Sequence, residues 1–320
     1  MPAIQSTSDS IPRQELLGVL MAAGLPLVGV ADAILPPFSV MQDNGVYFVA
    51  PTATILQRGE SQARGTGGGY KRHDTRLEQA TYACKDYGNE KVLDDAQAAN
   101  YAKYFDYETA EADMVTRLTK LEREIRVKNL VHNETTFPAS GTTGLTVSNA
   151  WSSAANGTPI SDVHAGIAAL HAKTGGNNFK LQISYQAQFD LSRNNQIREA
   201  LKYTQSVPGL IPLADLARAL GVAEVICPQS AMYNSADEGQ TASLSEVWST
   251  TYAFLFLAPS TSSLNETCLG RTFVNDNDGG IMTIEQYRDE RNRSNILRAR
   301  QKVHESLHLT TCGFLFKNVA

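Results

Sequence analysis

The sequence predicts an α+β protein, and three observations carry that prediction. Over 106–133, DYETAEADMVTRLTKLEREIRVKNLVHN, one helical period runs without a Gly or Pro. Between 158 and 258, helical and strand patterns alternate and end in WSTTYAFLFLA, an apolar run of strand length stopped by Pro259. Over 297–310, apolar and polar residues alternate with period two. A chain that keeps these periods in separate stretches must bury helix stripes against sheet faces.

Bulk properties narrow the function. The 320 residues suffice for a sizeable core and for two domains. With 42% hydrophobic and 19% charged residues the composition is that of a soluble globular protein. A net charge of -5 and a pI near 5.7 argue against a protein whose main task is gripping nucleic acid, although a shell around nucleic acid is compatible with both. Cys84, Cys227, Cys268 and Cys312 are widely separated and form no CxxC pair, so neither a disulfide scaffold nor a zinc ribbon is indicated and a reducing cytosol is the simplest setting. The stretch 16–33, LLGVLMAAGLPLVGVADA, imitates a secretion signal, but Asp9 and Glu15 spoil its basic leader. It is too short, and too interrupted by Gly18, Gly24, Pro26 and Gly29, to span a membrane. It reads as an N-terminal arm that packs on protein.

The elements follow in order. Over 33–49, Pro36 and Pro37 exclude helix, and Val46, Phe48 and Ala50 begin an alternation, giving an extended edge-type segment. Over 51–76 the apolar content collapses, and Gly65, Gly67, Gly68 and Gly69 lie among Arg58, Arg64, Lys71, Arg72 and Arg76. This predicts a long exposed hairpin with a basic tip. GTGGGYKR is no phosphate-cradling loop, because Tyr70 and Arg72 stand where that motif requires Gly and Ser or Thr. A stretch with Tyr82, Cys84 and Tyr87 on one side then leads through a short helix at 94–101 into the long one.

In the long helix Met114, Leu118, Leu121 and Ile125 form the predicted buried stripe, widened by Val115, Val127, Leu130 and Val131. Arg117, Lys120, Glu122, Arg123, Glu124 and Arg126 are expected on the opposite side. Asp106 is the expected N-cap, followed by Glu108, Glu111 and Asp113 where the helix dipole favours anions. At a rise of about 1.5 Å per residue the helix reaches about 40 Å. A strict heptad fails at Lys128 and His132, which argues against a coiled-coil arm.

After a Thr-, Ser- and Gly-rich loop at 135–155, Thr158 caps a helix with Pro159 in its first turn. Ile160, Val163, Ile167 and Leu170 form its buried stripe, and Gly175-Gly176 ends it. A strand is predicted over 179–185, helices over 195–203 and 212–220 with Gly221 as a stop, and a buried strand over 222–227. The run at 248–258 reads as a central strand covered on both faces.

One motif carries apparent chemistry. His304-Glu305-Ser306-Leu307-His308 matches HExxH, which on a helix sets two zinc ligands one turn apart with a general base between them. The period-two context makes this stretch a strand, on which the two histidines are about 13 Å apart along the backbone. Zinc bonds of about 2.1 Å cannot bridge that gap, and no Glu, Asp or His follows in the remaining chain to serve as the downstream third ligand. No Ser/His/Asp, GxSxG or paired-carboxylate signature is present.

Taken in this order, the parts resemble the major capsid protein of tailed bacteriophages, the Hong Kong 97-like fold also used by encapsulin nanocompartments. The resemblance covers nearly the whole chain. It runs from ADAILPPFSVMQDNGVYFV through ATYACKDYG, the long helix, NAWSSAANGTPISDVHAGIAALHAKTG, NFKLQISYQAQFDLSRNNQIREALKY, LARALGVAEVICPQSAMYNSADEG and SEVWSTTYAFLFLAP to TIEQYRDERNRSNILRARQKVHESLHL. Asn177-Asn178 stands where relatives often carry Pro-Asn, and the stretch 135–146 is longer and more polar than in compact relatives.

The resemblance implies an N-terminal arm at 1–46, an extended hairpin loop and its return at 47–100, and a peripheral domain with the spine helix at 101–190. An axial domain at 191–280, the peripheral domain's long strand pair at 281–308 and a C-terminal strand at 309–320 complete it. The implied function is structural: self-assembly, as hexamers and pentamers, into an icosahedral shell around double-stranded DNA, with no catalysis, cofactor or metal. Subunit contacts are expected at Arg58, Arg64, Lys71, Arg72, Arg291 and Arg293. No heptad-rich scaffolding segment precedes the arm, so a scaffold is expected as a separate protein, beside portal and decoration proteins. An encapsulin-type compartment and, through HESLH alone, a metalloprotease are the rival readings.

Overall fold

The computed structural model describes residues 29–320 apart from 60–62, 71, 103–105, 203–208, 229–230, 238, 260–265 and 279. Most of the stretch expected as an N-terminal arm therefore lies outside the described residues. The described chain enters through a helical turn, α1 (Ala31–Ile34), whose Ile34 is fully buried. Pro36 and Pro37 then force extended backbone in β1 (Pro37–Val40), and β2 (Asn44–Val49) follows. One turn of helix, α2 (Thr52–Ile55), opens the glycine-rich loop. The chain returns as β3 (Glu78–Ala83) and β4 (Lys85–Asp94). Asp94 accepts the N–H groups of Ala96 and Gln97 and so starts α3 (Asp95–Tyr101), near the predicted boundary.

The spine helix α4 (Tyr107–Val131) is continuous, and Asp106 caps it by accepting the Thr109 N–H. Its buried face differs from the predicted one. Val115, Thr119, Leu121, Arg123, Glu124, Val127 and Val131 are buried, while Met114 and Leu118 are 47% and 45% exposed. Two surfaces rather than one hold the helix, a sheet on one flank and the N-terminal arm on the next, and this draws Arg123 and Glu124 inward from the polar side.

Next come β5 (Gly144–Thr146) and α5 (Pro159–Thr174). Pro159 stands in the first turn of α5, and Gly175 ends it at φ 65, a left-handed conformation that glycine adopts without steric cost. The Thr158 side chain does not cap this helix; Gln196 Oε1 takes the Ile160 N–H instead. β6 (Phe179–Gln182) is shorter than predicted because Ser184 accepts the Ala187 N–H and starts α6 (Tyr185–Arg193), a helix the sequence analysis did not separate. α7 (Asn195–Leu201), α8 (Leu213–Leu220), with Gly221 as its left-handed stop, and β7 (Glu224–Ile226) follow. β8 (Met232–Asn234) and β9 (Leu244–Glu246) pair as a small ribbon. The remaining strands are β10 (Tyr252–Leu257), β11 (Gly270–Asn275), β12 (Thr283–Asp289), β13 (Ser294–Leu307) and β14 (Gly313–Lys317).

Two sheets organise these elements. In the first, β13 pairs with β4 along one edge and with β12 and then β11 along the other, and parallel β1 lies beyond β11. The pleat sends Ala299, Gln301 and Glu305 to one face and Arg298, Arg300 and His304 to the other. The spine helix takes the first face: Gln301 Nε2 donates to the Thr119 carbonyl at 3.3 Å, and Arg126 pairs with Glu305 at 2.9 Å while covering the Tyr87 ring at 3.9 Å. The hairpin of β2 and β3 takes part of the second, where Tyr47 and Tyr82 pack on Phe273 with centroids at 5.1 and 4.6 Å.

The second sheet has the order β5-β14-β10-β6-β7, and β10 is central, as its apolar run predicts. Phe254, Phe256, Phe314 and Phe316 are buried there, with Trp151 and Trp248 nearby in the same core. α5 approaches this sheet at Gly166, where a Cβ would lie 2.7 Å from the Phe316 ring. Residues 179–182 pair in the second sheet, and 270–275 in the first.

Candidate assembly surfaces

Polar groups buried at the middle of the spine helix fix the frame. The Glu124 carboxylate accepts the Val30 N–H at 3.1 Å, the Ala31 N–H at 2.9 Å and the Trp248 indole N–H at 3.0 Å. Burial pushes this carboxyl above its ordinary range, and the three donors pull it back. Gly29 leaves the room this needs, since a Cβ there would collide with Glu124 Oε1. Arg123 pairs with Asp32 at 2.6 Å and donates to Thr272 Oγ1 at 3.3 Å. Trp248 meets the His132 ring edge-on at 5.2 Å, and His132 Nε2 shares a hydrogen bond with Gln182 Oε1. Burial drives His132 down to about 4. Arm, spine and second sheet are thus joined at one junction, which the sequence reading missed because a helical wheel puts positions 123 and 124 on the polar side.

Outside that frame lie surfaces that the described residues do not cover. The inner face of the hairpin is packed, with Tyr47 Oη 2.9 Å from Ser306 Oγ. Its outer face carries Val46 and Phe48, 51% and 64% exposed, and Met41 just before β2 is 69% exposed. The alternation seen in the sequence is real, but its apolar phase faces outward because Tyr47 takes the inward one. Strand pairing stops at Val49 and Glu78, so the predicted long hairpin is paired only at its base. Arg58, Arg64 and Arg72 are exposed in the loop beyond, with Arg64 at 5.4 Å from the Tyr70 ring centroid, and Lys71 lies outside the described residues.

Arg291 and Arg293 occupy the turn between β12 and β13, where Arg293 takes φ 46 and its carbonyl accepts the Asp95 N–H at 3.2 Å. This turn lies at the Ser294 end of β13, whereas the hairpin packs near Ser306. That is about 40 Å of strand at about 3.3 Å per residue between this turn and the base of the hairpin. The acidic start of the spine is accessible at Glu108 and Asp113, while Glu111 lies 3.8 Å from Lys91.

HESLH forms no helical ligand pair. His304 and Glu305 sit in β13 on opposite faces, His304 toward Phe273 and Glu305 in its ion pair with Arg126. His308 follows the strand and packs against Tyr47 and Phe273 at 4.9 and 5.6 Å.

No family model matches this chain, and no curated protein matches it in sequence. Solved structures do match in shape. A phage-related protein from Bordetella bronchiseptica RB50 gives a TM-score of 0.68 at 18% identity, over 94% of this chain and 97% of that one. The capsid of cyanophage P-SCSP1u gives 0.57 at 7% identity, over 99% and 93%. The chain has the Hong Kong 97-like capsid fold. A virus-like particle from Pyrococcus furiosus shares it, with a TM-score of 0.52 at 10% identity over 95% of this chain and 99% of that one. With identities this low, the capsid fold is matched through layers and strand order rather than through individual side chains.

Proposed function

We propose that the chain is the major capsid protein of a tailed bacteriophage, assembling with copies of itself into the icosahedral shell that encloses the double-stranded DNA genome. One observation carries this reading beyond the fold: the hairpin holds Val46 and Phe48 outward on a packed base, an apolar face that a second copy would bury. Its role is structural, with no catalytic step, and assembly takes place in the host cytoplasm as hexamers and pentamers. Scaffolding, portal and decoration proteins are separate partners, and DNA is enclosed without sequence-specific binding. The first sheet with the spine forms the peripheral domain, and the second sheet with α5 to α8 forms the axial one. Arg58, Arg64, Lys71 and Arg72 reach a neighbour's Glu108 and Asp113, and Arg291 and Arg293 make a separate contact from the far end of β13.

Replacing residues 57–72 by a short Gly-Ser linker tests the reading. The subunit is expected to stay folded, judged by circular dichroism and a cooperative melt, but to sediment as monomers or small capsomers. Closed shells from the deletion variant would overturn the loop's role. Electron microscopy of the unaltered protein that shows no closed particles under assembly conditions would overturn the function itself. The Pyrococcus particle favours a second reading, a protein compartment without a genome, which the nucleic acid content of purified shells decides.

A further inference from the structure

Among the described residues, the apolar stripe of the spine helix is covered for only half its length. Met114, Leu118, Leu121 and Ile125 lie within about 60° of one another around an α-helix. Leu121 and Ile125 pack into the core. Leu118, one turn upstream of Leu121, and Met114, two turns upstream, remain about half exposed. A stripe that continues past its own cover marks a surface that something else occupies.

The same helix holds the point where the described chain begins. Glu124 receives the Val30 and Ala31 N–H groups and Arg123 binds Asp32, so residue 30 is fixed beside the middle of the stripe. Immediately before it, residues 16–28 read LLGVLMAAGLPLV, without one charged side chain. We propose that segment 16–28 of the same chain runs along the N-terminal half of the spine helix and covers Met114 and Leu118.

Three arguments favour this occupant. The ten residues from Met114 to Glu124 make about 15 Å of helix axis, which thirteen residues span even at the helical rise, about 20 Å. The C-terminal half of the stripe is already packed, so upstream is the direction in which uncovered apolar surface lies. A segment tethered at residue 30 also meets this surface at an effective concentration that a separate chain does not match. The inference concerns a single chain and stands or falls independently of the shell.

Two measurements on the full chain decide it. The native cysteines are buried, so Leu118→Cys combined with Met21→Cys gives a reactive pair for a short bis-maleimide. Peptide mapping should find a cross-link within one chain; a cross-link between chains, or none while both thiols react singly, overturns the proposal. Hydrogen exchange should show residues 16–28 protected in the unsubstituted protein. That protection should fall about tenfold or more in Met114→Gln with Leu118→Gln, while β10 keeps its own. An unprotected segment, or equal protection in both proteins, overturns it as well.

Discussion

Glu124 shows how much one side chain can organise. Its carboxyl collects three N–H donors from two distant parts of the chain, and these offset part of the burial that raises its pKa. Glu124→Gln leaves one acceptor oxygen for those donors and turns an amide NH2 toward them. The expected loss is about 2 kcal/mol, read as a lower urea midpoint of the unassembled subunit at pH 7. Two histidines set the response to acid. Burial holds His132 and His308 at about 4, below the ordinary 6.5. The unfolded chain therefore binds protons first as pH falls. Stability is kept above about pH 6.5 and lost on the way down to about 4, by up to about 1.4 kcal/mol per pH unit for each histidine. Urea midpoints at pH 7.5 and 5.0 should show the drop, and His308→Gln should remove about half of it. A midpoint independent of pH would mean that neither imidazole is buried.

At the scale of elements, the spine helix separates what amphipathicity predicts from what packing selects. Its length, cap and absence of breakers are properties of the local sequence, and they hold. The buried face depends on which partners arrive, and the first sheet and the arm arrive on flanks that include Thr119, Arg123 and Glu124. Leu118→Asp should accordingly leave a folded chain with a cooperative melt. Val127→Asp should cost several kcal/mol and abolish soluble folding, because Val127 is fully buried. Both are read from soluble yield and thermal melts, and a folded Val127→Asp would overturn the assignment of that face. The same distinction explains the hairpin, where a period of two was legible but its inward phase was not. Tyr47 and Tyr82 claim the inward side because Phe273 awaits them from β11, a strand far later in the chain.

At the scale of the whole molecule, the chain builds a rigid frame with an apolar hairpin face and a basic loop on its outside. Val46→Asp with Phe48→Asp changes only exposed positions, so the melting temperature of the subunit should stay within a few degrees of the parent. If copies bury this face, sedimentation should show the variant failing to form closed particles. Normal particles would place the subunit contact elsewhere.

The sequence by itself determined the local periods and their punctuation: the uninterrupted spine, the glycine stops of α5 and α8, the central position of β10 and the strand identity of HESLH. These follow from backbone sterics and side-chain spacing within a few turns of chain, so neighbouring residues suffice to specify them. Only the tertiary structure decided that Glu124 grips residues 30 and 31, that Val46 and Phe48 face outward, and that none of the described residues covers Met114 and Leu118 fully. Those facts depend on which surfaces meet across separations of tens to hundreds of residues, and no local period carries that information.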